Sequence, residues 1–255
     1  MNFIVSATTD IGLTKQTNQD SYAVRVCNAA QGKMVFAVLC DGMGGLAKGE
    51  VASASLVNAF LKWADERLPI ISQETISDAV IRSEWVDIAV TFNEKIKAYG
   101  KSYGINLGTT LTAILLTQSR YYVINVGDTR AYEITNAVKV ITKDQTVVAR
   151  EVELGNLTEE EAARDPRRSV LLQCVGASDD VYPDLFFGDV ANNAVYMLCS
   201  DGFRHEVSEM EIYQGLNPNV MLDANSMEQN MLQLIALDKQ RQERDNISVI
   251  AIRTF

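Results

Sequence analysis

The chain has 255 residues, of which 47% are hydrophobic, and a formal net charge of −10 at pH 7. This length allows one large or two small domains with a sizeable core, and the acidic excess argues against nucleic acid or an anionic membrane as main partner. The N-terminus lacks the pattern of a signal peptide, and no apolar run approaches the ~18 residues of a membrane span. Four scattered cysteines without a CxxC pair predict buried thiols in a reducing cytoplasm, and argue against zinc.

Short apolar runs predict strands, and two long amphipathic patterns predict helices. The predicted strands cover 2–8, 21–27, 34–39, 111–116, 121–126, 131–134, 138–141, 195–199 and 247–252. The four runs between 111 and 141 are typical of an antiparallel meander. The long helices are predicted over 46–64 and about 81–99, the second with Thr75 and Asp78 as a capping box. Shorter helices are expected at 146–154, 158–163, 208–215 and 220–237. Since no linker or repeat interrupts the chain, one continuous domain is predicted.

The segment 142–177 differs in character from its surroundings. Its helical pieces are joined by charged sequence that includes Arg164, Arg167 and Arg168. A structured insertion with a function and a plain connection are equally compatible with this pattern.

Five aspartates occupy equivalent places at the ends of predicted strands. Asp41 and Asp201 end strands, Asp20 and Asp245 precede them, and Asp128 lies between two. If these strands are neighbours, the carboxylates converge, and they need a counter-charge to remain ionised together. Oxygen ligands without histidine or cysteine favour Mg²⁺ or Mn²⁺. The pattern therefore predicts a Mg²⁺- or Mn²⁺-dependent phosphoester hydrolase, against the alternative that 33 acidic residues reach strand ends by chance.

Six motifs in order resemble those of the type 2C metal-dependent serine/threonine protein phosphatases. They extend over the chain from Thr9 to Ile252, and Met43 in the second resembles the bacterial branch. The motifs are Gly12-x-x-Lys15-x-x-Asn18-Gln19-Asp20, Asp41-Gly42-Met43-Gly44-Gly45, Gly108-Thr109-Thr110, Gly127-Asp128-Thr129-Arg130, Ser200-Asp201-Gly202 and Asp245-Asn246.

The resemblance implies an α+β fold, a four-layer α/β/β/α sandwich of two antiparallel sheets flanked by helix pairs. A single domain over 1–255 would carry a flap at about 143–177. It implies hydrolysis of phosphoserine and phosphothreonine on proteins, without a phosphoenzyme, by a metal-bridged hydroxide. The chain would act as a cytoplasmic monomer on phosphorylated proteins and oppose a bacterial serine/threonine kinase.

The resemblance also implies a set of ligands. Two tightly bound Mn²⁺ or Mg²⁺ ions would be bridged by Asp41 and completed by the Gly42 carbonyl, Asp201 and Asp245. Asp20 would hold a metal-bound water, and Asp128 with Asp201 would hold a third, weaker ion.

Three positions depart from the family pattern. Lys15 replaces the phosphate-binding arginine, and a lysine cannot make the bidentate contact of a guanidinium. It is expected to affect substrate binding without affecting metal affinity. His205 replaces an acid that often helps the third metal, and Ser169 replaces a flap asparagine. Two alternative functions remain open: a catalytically silent binding module, and a hydrolase of small phosphoesters.

Overall fold

The computed structural model describes residues 1–29, 32–43, 48–73 and 77–255. The strands are β1 (Phe3–Asp10), β2 (Asp20–Ala29), β3 (Gly32–Asp41), β4 (Leu111–Leu116), β5 (Arg120–Val126), β6 (Arg130–Ile134), β7 (Val138–Val140), β8 (Asp184–Asp189), β9 (Val195–Cys199) and β10 (Ile247–Thr254). The helices are α1 (Gly49–Ile71), α2 (Asp78–Tyr103), α3 (Val147–Glu153), α4 (Glu159–Arg164), α5 (Glu209–Leu216) and α6 (Ala224–Gln240), with a 3₁₀ turn at Asp201–Phe203.

The strands form two antiparallel five-stranded sheets. One has the order β1-β10-β9-β6-β7 and the other β2-β3-β4-β5-β8. This confirms the predicted α+β sandwich. The predicted single meander over 111–141 is wrong, because the β4–β5 and β6–β7 hairpins lie in different sheets and the chain crosses between them at residues 127–129.

Strand β3 is buried on both faces because it lies between a helical layer and the other sheet. Phe36, Val38 and Cys40 join the core beneath α1 and α2, whereas Val35 and Leu39 join the core between the sheets. This two-sided burial explains an uninterrupted apolar run where a half-exposed strand would alternate.

An aromatic cluster joins the first helix pair to its sheet. Ring centroids lie 5.3 to 6.4 Å apart in five of the six pairs formed by Phe36, Phe60, Trp63 and Trp85. On the other side of the sandwich, α5 and α6 cover the β1-β10-β9-β6-β7 sheet with a core that includes Ile212, Met231 and Met197. Four layers result, with the helices outside.

Some element boundaries differ from the sequence predictions. Helix α1 continues to Ile71, past the predicted end at residue 64, because Leu68 and Ile71 are buried. Strand β8 was not predicted, since its sequence DLFFGD has an aspartate at each end and a glycine inside. Thr75, of the predicted capping box, lies outside the described residues. Cys27 is half-buried, and only the other three thiols are buried as predicted.

Within the described part of the chain, no helix combines the length and apolarity that a bilayer crossing needs.

Candidate active site

The strand register brings the ends of several strands to one place. In the first sheet, Arg130 and Val249 both pair with Cys199, so the residues before β6 and β10 lie beside those after β9. These are the positions of Asp128, Asp245 and Asp201. In the second sheet, Asp20 and Asp41 are direct cross-strand partners.

A cleft of about 290 Å³ lies where these ends meet. Its described lining includes four of the five aspartates and one Lys or Arg side chain, that of Lys15. The lining residues are Lys15, Asp41, Met43, Thr110, Asp128, Ser169, Leu171, Asp201 and Asp245. Ser169 and Leu171 come from the segment predicted as a flap. Arg164, Arg167 and Arg168 from the same segment do not line the cleft.

The backbone of Asp41 is fixed by the paired threonines of the third motif. The Asp41 amide donates to the Thr110 hydroxyl, and the Asp41 carbonyl accepts from the Thr110 amide and the Thr109 hydroxyl, all at 2.9 Å. The next residue must be glycine, because a Cβ on Gly42 would lie 2.5 Å from the Gly49 backbone. Gly44 and Gly45 lie outside the described residues.

Asn246 holds the loop that carries Lys15. Its side-chain Nδ2 donates to the backbone carbonyls of Ile11 and Thr17 at 2.9 and 3.3 Å, and its side-chain Oδ1 accepts from the backbone amide of Gln19 at 2.8 Å. Gly12, with a φ of +77°, packs directly against the Asp245 backbone. Asp245-Asn246 thus positions both a carboxylate and the cation-bearing loop.

Lys15 forms an ion pair with a predicted metal ligand. Its ammonium lies 2.6 Å from Asp245 Oδ1. Burial acts to lower the pKa of Lys15, but the hydrogen bond to Asp245 and the charges of Asp245, Asp41 and Asp201 raise it overall. Lys15 is therefore a charged ammonium at the carboxylate cleft.

Burial and neighbouring carboxylates raise the pKa values of Asp41 and Asp20. Burial, and next the charges of Asp20 and Asp201, raise the pKa of Asp41 well above its ordinary value. Burial also raises the pKa of Asp20 to about 7, with further contributions from Asp201 and Asp245. The nearby Ser248 and Ser200 hydroxyls offset part of this rise. Added cations would favour the ionised forms of these carboxylates, so the site is expected to attract cations.

The donor set fits divalent cations. Both carboxylate oxygens of Asp20 and Oδ1 of Asp201 are buried without a hydrogen-bond partner, which is costly for groups with no other function. Among the described residues, no three acidic, histidine or cysteine side chains already meet closely enough to enclose an ion. In this arrangement the Lys15 ammonium already occupies Oδ1 of Asp245, and the remaining carboxylates repel one another.

Glu243 was missed by the sequence predictions. Its Oε1 accepts from the amides of Arg244 and Asp245 at 2.6 and 2.8 Å, and its Oε2 lies 3.1 Å from His205 Nδ1. His205 Nε2 in turn lies 3.5 Å from Asp201 Oδ2. The histidine therefore bridges a metal-ligand candidate to a glutamate that supports the Asp245 backbone. Only the position of Glu243, two residues before a motif aspartate, could have indicated it.

A second missed group surrounds Asp128. Arg130 donates from two nitrogens to the carboxylate of Asp144, at 2.8 Å each. Arg204 donates to the same carboxylate at 3.1 Å and to the Asp128 carbonyl at 3.0 Å. No sequence pattern joins residues 130, 144 and 204, because sheet pairing and the chain crossing bring them together.

A sequence model of protein phosphatase 2C matches residues 13–230 of the chain. The chain therefore belongs to the protein phosphatase 2C family, as the motif resemblance indicated.

Its similarities are to bacterial serine/threonine phosphatases. Over 248 residues it is 34% identical to the phosphatase PstP of Mycobacterium tuberculosis, covering 96% of this chain and 44% of PstP. The chain thus spans less than half the length of that relative.

The fold is also similar to those of solved bacterial phosphatases. The chain superposes on phosphatase Stp1 of Staphylococcus aureus with a TM-score of 0.84 and 25% identity, over 100% and 96% of the two chains. With the catalytic domain of PstP in complex with two manganese ions, the TM-score is 0.75 at 27% identity, over 99% of each chain.

Proposed function

We propose that this chain hydrolyses phosphoserine and phosphothreonine on proteins with Mn²⁺ or Mg²⁺ bound in the carboxylate cleft. The observation that carries the proposal is the convergence of five aspartates, with buried unpartnered oxygens, beside one lysine. Membership of the family and the two manganese ions in a relative's catalytic domain support it.

The ion ligands in this proposal are Asp41, the Gly42 carbonyl, Asp201 and Asp245, with Asp20 acting through water. When bound, the ions would supply Lewis acidity and an activated water. The protein supplies the framework: Thr109 and Thr110 fix Asp41, Glu243 fixes the Asp245 backbone, and the two sheets hold these elements rigid.

Lys15 binds the substrate phosphate in this proposal. Its loop is held by Asn246, so the ammonium stays within reach of the cleft, and it moves from Asp245 to the phosphate as metal and substrate bind. A phosphate dianion otherwise meets a cleft lined by carboxylates, and an added cation reduces that repulsion.

The single domain would act in the cytoplasm as a monomer, with residues of about 143–177 serving as a flap whose Ser169 and Leu171 line the cleft. Its substrates would be phosphorylated proteins, and it would reverse a bacterial serine/threonine kinase.

The decisive experiment measures phosphate release from a phosphothreonine peptide with and without Mn²⁺. The Asp41→Asn variant should lose turnover, and excess EDTA should abolish activity of the unmodified protein. Asp87→Asn, on the exposed face of α2, serves as the matched control and should retain full activity.

Three outcomes would contradict the proposal. Full activity in excess EDTA would reject metal-dependent hydrolysis. Phosphopeptide binding without turnover at saturating Mn²⁺ would instead favour a silent binding module. Equal efficiency on a small phosphoester and on phosphopeptides would favour the small-molecule hydrolase.

A further inference from the structure

The guanidinium of Arg204 lies beside the carboxylate that the family resemblance assigns to a third metal ion. Arg204 Nη2 is 3.8 Å from Asp128 Oδ2 and donates to the Asp128 carbonyl at 3.0 Å. Both side chains are largely buried, with 13% and 6% of their surfaces exposed. A positive charge that is part of the protein therefore already faces Asp128.

One further contact of the guanidinium and the place of Arg204 in the chain fix its position. The same Nη2 donates to Asp144 Oδ2 at 3.1 Å, and Asp144 is held from its other side by Arg130. Arg204 also follows directly after the 3₁₀ turn that contains Asp201, so its backbone is tied to a metal-ligand candidate. The side chain is thus held by two partners on separate segments of the chain.

The charges around Asp128 show what this cation does. Burial and the charge of Asp201 raise the pKa of Asp128, while the charges of Arg204 and His205 act to lower it. A divalent ion on Asp128 would be held within a few ångströms of the guanidinium, and like charges at that distance in a buried site repel strongly. Because arginine does not lose its proton in proteins, this repulsion persists at every working pH.

We propose that Arg204 serves as a built-in cation at Asp128 and takes the place of the third, weak metal ion. Asp128 then acts as a positioning residue: it holds Arg204 and, through Arg204, Asp144 at the start of the 143–177 segment. His205, where the family often has an acid, is a second departure in the same direction, since it replaces a negative ligand with a group that bridges Asp201 and Glu243.

This inference rests on the proposed function for the two tightly bound ions, but its test counts the third ion separately. Mn²⁺ stoichiometry is measured by calorimetry, with free Mn²⁺ followed by electron paramagnetic resonance up to millimolar concentrations. Four proteins are compared: the unmodified chain, Asp128→Asn, Arg204→Met and the double variant. Arg204→Lys is the matched control, since it keeps the charge and most of the length.

The expected result is two ions in the unmodified chain, in Asp128→Asn and in Arg204→Lys. Arg204→Met should gain a third, weaker ion that the double variant lacks. A third ion in the unmodified chain that Asp128→Asn removes would overturn the proposal. So would an Arg204→Met protein that is folded by circular dichroism yet still binds two ions.

The outcome separates this inference from the proposed function. Absence of tightly bound Mn²⁺ in the unmodified chain rejects the metal-dependent function, whereas an Asp128-dependent ion gained by Arg204→Met supports the built-in cation even then. If Arg204→Met does not fold, Arg204→Gln replaces it, and the comparison of the unmodified chain with Asp128→Asn stands without either variant.

Discussion

Replacing Lys15 by alanine tests the link between metal binding and phosphate binding in the cleft. Lys15 pairs with Asp245 at 2.6 Å, and Asp245 is a proposed metal ligand. The sequence alone predicts that Lys15→Ala changes substrate binding and leaves metal affinity unaltered. The ion pair changes this expectation, because a metal ion and Lys15 compete for the same carboxylate.

Lys15→Ala should strengthen Mn²⁺ binding and weaken substrate binding, and the two changes should differ in size. The side chains of Lys15 and Asp245 are 27% and 37% exposed, and pairs of this exposure are worth about 0.5–1 kcal/mol. Loss of that competition should tighten Mn²⁺ binding roughly two- to fivefold. A charged hydrogen bond to phosphate is worth about 1.5 kcal/mol at the lower end, so KM should rise about tenfold.

Steady-state kinetics on one phosphothreonine peptide at saturating Mn²⁺ give KM and kcat, and calorimetry gives the Mn²⁺ affinity. We expect kcat to change less than KM, and Lys15→Arg to remain active with a KM at or below that of the unmodified protein. Unchanged KM in Lys15→Ala would show that Lys15 is not the phosphate cation. Weaker Mn²⁺ binding in that variant would refute the competition for Asp245.

Two further predictions concern buried carboxylates, and both are checked by thermal melting. Asp201→Asn should abolish turnover yet leave the metal-free protein no less stable, because the charge of Asp201 disfavours ionisation of Asp41 and Asp20. A large fall in the melting temperature of the metal-free protein would mean that Asp201 is mainly structural. Asp238→Asn should stabilise the protein, because burial and next the charge of Glu243 raise the pKa of Asp238 from 3.8 to about 8, and both its carboxylate oxygens are buried without a partner. The folded protein retains a proton there that the unfolded chain loses above about pH 4, so the native carboxyl destabilises the fold increasingly as pH rises from 4 to 8. After a discount for solvent screening, the gain in Asp238→Asn should be roughly 2 kcal/mol, or about 5 °C, at pH 8. The gain in stability should be much smaller at pH 5, and Asp87→Asn should show no gain at either pH. An equal shift in the melting temperature of Asp238→Asn at both pH values would show that titration of Asp238 is not the cause.

Strands with two buried faces were the most predictable elements. The runs at 111–116 and 195–199 coincide with β4 and β9, because a short, largely apolar run is typical of a strand that is buried on both faces. Strand β8 was missed, since its half-buried residues and flanking aspartates are also typical of loops. The assignment of hairpins to sheets was wrong for the same kind of reason: local pattern does not encode which sheet a strand joins.

Some residues of the candidate site could be predicted from the sequence, and others could not. Aspartates in short motifs were found because glycine and strand-end patterns mark them, and Asp20 opposite Asp41 follows from pairing of adjacent strands. Glu243, Asp144 and Arg204 were not found, because each acts through contacts between distant segments. The Lys15–Asp245 pair spans 230 positions of sequence, so its competition with metal could not be read from the motif around Lys15.

Three of the contacts at the site place a basic side chain beside a carboxylate that is buried or partly buried. Lys15 faces Asp245, His205 faces Asp201 and Glu243, and Arg204 faces Asp128. The three basic side chains differ in setting: Lys15 lies on a loop and is 27% exposed, whereas Arg204 and His205 are each 13% exposed beside the 3₁₀ turn. A loop lysine with one carboxylate partner can exchange that partner for a phosphate when a metal ion binds, whereas a guanidinium held by both Asp144 and the Asp128 carbonyl cannot. The proposed two-ion site therefore includes Asp245, which Lys15 can release, and leaves out Asp128, which faces Arg204.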